Sequence, residues 1–83
     1  MAQIARLEVI LSQVGDEVAT ASAKHRPMNS HHEAYAVILE ELDEYWAEVS
    51  KGGSASGQRD LSTLRLELIH TAAMCVRALY DLC

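Results

Sequence analysis

Apolar residues return at alternating intervals of three and four along the start of the chain: Ile4, Leu7, Leu11, Val14, Val18 and Ala21. That spacing puts all six on one stripe of an α-helix and predicts a helix over residues 3–22, with a seam suited to packing on another helix. The run Ala-Ser-Ala-Lys-His-Arg-Pro weakens the pattern, and Pro27 stops it. A second helix is predicted over 30–50. Its start is marked by Ser30-His31-His32-Glu33, a capping box in which a hydroxyl and a carboxylate satisfy two free backbone N–H groups. Its end is marked by Lys51-Gly52, a cation in the last turn followed by a permissive glycine. The stretch GGSASGQ at 52–58 has the composition of a flexible loop, after which Asp60 or Ser62 can cap a third helix over 60–82. No strand pattern or internal repeat is present.

The third helix is apolar over about 200° of its circumference, from Leu61 through Leu68, Val76 and Leu79 to Leu82. One partner helix covers about half that width, so this helix is expected between its own chain and a second subunit. The fold class predicted is all-α, an antiparallel three-helix bundle in a single domain, completed by homo-oligomerisation to a homodimer or homotetramer. Composition points the same way: 49% of 83 residues are apolar, much for a chain near the lower limit of a self-sufficient core.

The net charge of −5, with no basic cluster beyond Lys24 and Arg26, argues against nucleic acid as a partner. No apolar run is long enough to cross a bilayer, and the N-terminus has no signal-peptide pattern. Cys75 and Cys83 lie eight residues apart on one predicted helix, about 12 Å of rise, too far to pair with each other. Two free thiols suit a reducing interior, so a cytoplasmic protein is expected.

Charge is distributed unevenly. Six of the twelve acidic residues fall between positions 33 and 48. Wound as a helix, Glu33, Glu40, Glu41, Glu44 and Glu48 share an arc of about 100°, opposite Ala34, Ile38, Leu42, Tyr45, Trp46 and Val49, with Tyr45 and Trp46 expected in the core. Glu40–Glu44 and Glu44–Glu48 are like-charge i,i+4 pairs, each costing about 0.2–0.5 kcal/mol. No Lys or Arg stands four positions from any of them, and a divalent cation is the simplest compensation. The third helix offers Glu67 and His70 at i,i+3 on its narrow polar strip, which also carries Arg77. If the two helices pack antiparallel, four carboxylates and an imidazole converge on one site, as metal sites in helical bundles are built. Hard carboxylate oxygens suit Mg²⁺ or Mn²⁺.

The pattern E-E-x-x-E at 40–44, followed after twenty-two residues by Glu67-Leu68-Ile69-His70, resembles the E-E-x-x-E…E-x-x-D signature of the MazG-like all-α nucleoside triphosphate pyrophosphohydrolases. The likeness extends over about residues 24–82, through HHEAYAVILEELDEYWAEV and ELIHTAAMCVRAL, and is to the short members of bacteria and phages. It implies an Mg²⁺-dependent hydrolase, with Mn²⁺ as the alternative ion, that splits an NTP or dNTP between the α and β phosphates. By position, Glu40, Glu41, Glu44 and Glu67 match the family's acidic metal-site residues, with Glu40 or Glu41 as general base. His70 stands where the family has aspartate. Histidine ligates only as neutral imidazole and prefers softer ions than Mg²⁺, so the departure bears on metal choice and on activity itself. The alternative is a non-catalytic helical oligomer of the same fold, an interaction or nucleotide-binding module.

Overall fold

The computed structural model describes residues 2–52 and 59–83 and contains, among them, three α-helices and no strand: α1 (Ala2–Lys24), α2 (His31–Lys51) and α3 (Leu61–Leu82). Apart from Gly52, the stretch expected as a loop over 52–58 lies outside the described residues. α1 continues two residues past its expected end at 22 because Ala23 and Lys24 are good helix formers, and Pro27 follows three residues later. No helix is long and apolar enough to cross a membrane.

The helix ends are tied by side chains. Ser30 Oγ accepts from Glu33 N–H at 3.1 Å, while the Glu33 carboxylate accepts from Asn29 N–H at 3.2 Å, one residue earlier than an ordinary capping box. Gly52 adopts the right-handed helical conformation with φ −64°, so it does not serve as the left-handed stop its position suggests. Its value is the missing side chain: the Arg59 guanidinium lies where a Cβ would stand, and Arg59 Nε–H donates to Val49 O at 3.0 Å. Asp60, rather than Ser62, caps α3 by accepting from Ser62 N–H at 2.9 Å.

Glu48 departs from its expected place on the acidic face. It is only 4% exposed, accepts from Asp60 N–H at 3.0 Å, and pairs with Lys51 Nζ at 2.8 Å, a cation three positions on that relieves its charge. At the opposite end Met28 N–H donates to Asp81 Oδ2 at 2.9 Å and Arg77 Nη2 donates to Arg26 O at 3.0 Å. These ties run α2 antiparallel to α3. The hydrogen bond from Arg65 to Gln13, with that from Arg77 to Arg26, runs α1 parallel to α3.

Both α1 and α2 pack on α3, and their backbones do not approach each other closely. The buried core is small and built on small or flexible residues: Val14, Ala21, Met28, Ala34, Ala73 and Met74, with Val18, Val37, Ile38 and Ile69 half-buried around them. Ala73, with no exposed surface, lets the helices approach closely. Residues of α1, α2 and α3 together line a cavity, with His70, Met74 and Arg77 of α3 on its wall.

The reverse side is apolar. Tyr35, Leu39, Leu42 and Trp46 form an exposed stripe on α2 about 170° from Glu44, and Leu61, Leu68 and Leu79 an exposed stripe on α3 about 180° from His70. Trp46, expected in the core, is 63% exposed here. Ile4, Leu7 and Leu11 continue the α1 seam past the point where it meets α3 and are also exposed. The accessible surface of 6190 Å² exceeds by about 1,300 Å² what a folded monomer of this mass exposes. The radius of gyration, 14.4 Å, exceeds the roughly 12 Å of a compact domain of this length.

Candidate metal centre

The cleft between α1 and α2 encloses a cavity of about 370 Å³, and its chemistry is divided. Glu17, Glu40, Glu41 and His70 line one end; Lys24, His25, Arg26 and Arg77 line the other, where Glu33 also stands on the wall. The acidic end exists because the interhelical faces are not wholly apolar. Glu41 lies one turn from Ile38 and Tyr45 on the side of α2 that packs on α3, and Glu67 and His70 share the strip of α3 that faces the cleft.

Glu41, Glu67 and His70 present ligand atoms within 4.8 Å of one another. Two donors on one Mg²⁺ are at most about 4.2 Å apart, so small side-chain adjustments bring the three onto a common ion. His70 sits in a ring of carboxylates: Nδ1 is 3.7 Å from Glu41 Oε2 and 3.9 Å from Glu67 Oε2, and Nε2 is 3.7 Å from Glu17 Oε1. None of these is short enough for a hydrogen bond. Glu41 Oε2 and Glu67 Oε2 are buried and have no hydrogen-bond donor. Buried carboxylate oxygens are ordinarily paired, and these two orphaned oxygens face the same imidazole.

The electrostatics record that strain. Burial is the main influence lifting the Glu41 pKa above its ordinary value, with the neighbouring Glu44 charge next and His70 opposing. Burial also lifts Glu67, followed by its carboxyl–carboxyl contact with Glu44. Such a contact needs a proton on one partner, so without a cation the cluster holds charge poorly.

Of the residues singled out by sequence, Glu41, Glu67 and His70 come together, with Glu44 against the two carboxylates. Glu40 is exposed on the cavity wall and is outside that triad. His31 and His32 are exposed and do not line the cavity; Cys75 and Cys83 are exposed free thiols. Lys51 is occupied by Glu48 at the far end of α2. Sequence reasoning missed Glu17. Its signal was its flank of the α1 seam, beside Val18 and one turn from Val14 and Ala21. Lys24 and Arg26, the small basic pair noted in the sequence, line the cavity. Comparison with family models, curated proteins and solved structures yields no match.

The raised carboxyls set a pH dependence. A group whose folded pKa is raised stabilises the fold below its ordinary value of 4.5, and that contribution is lost as pH rises through the folded value. Glu48 is lowered by Lys51 and Asp60 N–H, so its contribution is present above 4.5 and lost in stronger acid. In EDTA the chain should therefore be most stable in mild acid and lose stability toward neutrality. Glu44→Gln should flatten the neutral side and raise apo stability there by about 0.5 kcal/mol. Urea denaturation between about pH 4.5 and 7.5 checks this; a wild-type stability that climbs steadily to neutrality contradicts it.

Proposed function

We propose that the chain is a metal-dependent nucleoside triphosphate pyrophosphohydrolase related to the MazG-like enzymes, cleaving NTP or dNTP to the monophosphate and pyrophosphate. The observation that carries this is the pair of buried, donorless oxygens on Glu41 and Glu67 beside His70, with Glu41 and His70 on the wall of a cavity that also carries Lys24, Arg26 and Arg77. An acidic cluster takes the ion, and a basic end takes the phosphates an ion alone leaves charged.

The donor set fits a divalent cation, Mg²⁺ or Mn²⁺, held by Glu41, Glu67 and His70, with Glu44 within reach. An ion there lowers the pKa of its water and neutralises phosphate oxygens. The chain's own residues do the rest. Glu40, exposed on the cavity wall, takes the proton of the attacking water, and His70 Nδ1, which faces Glu41 and Glu67, is the nitrogen that would ligate. Glu17 holds the imidazole from its other side, through Nε2. Lys24, His25 and Arg26 hold the triphosphate so that its α–β bridge meets the water. His70 must be neutral to ligate, and its nitrogen favours Mn²⁺ over Mg²⁺.

The working form is a homodimer or homotetramer. The apolar reverse side and the excess surface of about 1,300 Å² per chain exceed the roughly 800 Å² that each partner buries in a standard interface. Burial there leaves the cleft, on the opposite side, open to substrate. Light scattering at micromolar concentration should give at least twice 9.1 kDa. A monomeric mass with helical structure intact contradicts the assembly.

Pyrophosphate release over a panel of nucleoside triphosphates tests the activity. Wild type should turn over with Mn²⁺ faster than with Mg²⁺, and His70→Asp should shift that preference toward Mg²⁺. Glu41→Gln and Glu67→Gln should each cut kcat/KM at least about a hundredfold, as loss of a charged ligand does. No hydrolysis by wild type or His70→Asp with either ion would leave a non-catalytic helical module.

A further inference from the structure

Arg77 is the one basic side chain among the described residues that is buried, at 5% exposed. It is also poorly satisfied. Nη2 donates to Arg26 O at 3.0 Å, Nη1 meets only the thioether of Met74 at 3.8 Å, and Nε has no partner. No carboxylate of the described residues lies within 4 Å of it, although Asp81 stands one turn away with an oxygen turned to Met28 N–H. A guanidinium has five donors in a planar fork matched to phosphate and carboxylate. Buried without a counter-ion, it is costly to the fold.

The guanidinium lines the cavity beside Lys24, His25 and Arg26. Its bond to Arg26 O also fixes the basic segment at the cleft's end. His70 and Arg77 are seven residues apart on α3, about 10.5 Å of rise. A separation of two helical turns suits an extended polyphosphate better than a single phosphoryl group.

We infer that Arg77, with Lys24 and Arg26, forms an anion subsite for the end of a polyphosphate chain whose other end lies at Glu41, Glu67 and His70. For its ligand class this rests on the function proposed above, yet the subsite does not need turnover. The test is thermal unfolding of the whole chain with inorganic triphosphate, in excess Mn²⁺ and at constant ionic strength. Wild type should show a saturable rise in Tm that sodium chloride at equal ionic strength does not produce, with inorganic phosphate weaker than triphosphate. Arg77→Met should weaken the apparent affinity for triphosphate at least about tenfold, the scale of one charge-assisted hydrogen bond. Arg26→Gln changes an exposed side chain, leaves the backbone acceptor of Arg77 in place, and should weaken it about threefold. This second variant decides the matter if Arg77→Met does not fold. Absence of a triphosphate-specific rise in wild type overturns the subsite, as do variants that bind like wild type. Hydrolysis without such binding would overturn it while leaving the enzyme standing, and binding without hydrolysis would do the reverse.

Discussion

Glu41 and Glu67 put carboxylate oxygens into a place where no donor meets them, on the same helix faces that hold the chain together. α2 and α3 approach through Ala34, Ala73 and Met74, and the acidic pair sits at that approach rather than on the solvent side. Two buried like charges beside one imidazole are tolerated only with a proton or a cation between them. Neighbouring features follow from that condition: both carboxyls have raised pKa values, Glu44 rests against them, and Glu17 reaches His70 from α1. The contrast is Glu48 on the same helix, more deeply buried yet satisfied by Lys51 and by Asp60 N–H, and lowered instead of raised. Glu48 is satisfied within the fold; Glu41 and Glu67 each keep an oxygen without a donor.

The architecture has two unlike sides. Because α1 and α2 pack on α3 without their backbones approaching each other closely, the polar strip of α3 lines a cavity while its apolar back is left uncovered. A closed three-helix bundle would bury that back and fill the cleft, losing the site. The chain has an open core, and the apolar back of α3 is the surface that the proposed subunit association would cover. The basic segment at the end of the cleft is fixed by the same economy: Arg77 and Asp81 on α3 hold the backbone of residues 26–28, so the turn from α1 to α2 lies against the cavity.

Three helices were legible because their apolar spacing is regular and their ends carry strong signals in Pro27, Ser30 and Asp60. The meeting of Glu41, Glu67 and His70 was legible from helical angles and antiparallel packing alone. Other features were hidden for identifiable reasons. Glu48 looks identical to Glu44 in the acidic arc, and only its long-range bond to Asp60 N–H separates them. Gly52 resembles a left-handed cap, whereas it serves to admit Arg59, a residue whose approach no local rule reveals. Glu17 and the cavity-lining cations depend on α1 running parallel to α3, which is a topological fact. Trp46 lies on an apolar arc as a core residue would, but the wheel cannot say whether its own chain or another covers that arc.

The central claim is that the buried carboxylates of Glu41 and Glu67, with His70, require a cation. Electron paramagnetic resonance of Mn²⁺ titrated into the purified chain tests it without substrate. One bound ion per chain is predicted, with nitrogen coupling from an imidazole that disappears in His70→Asp, and with binding lost in Glu67→Gln. Mn²⁺ that stays free at concentrations well above the protein, or a bound ion unaffected by Glu67→Gln and Glu41→Gln, would contradict the account.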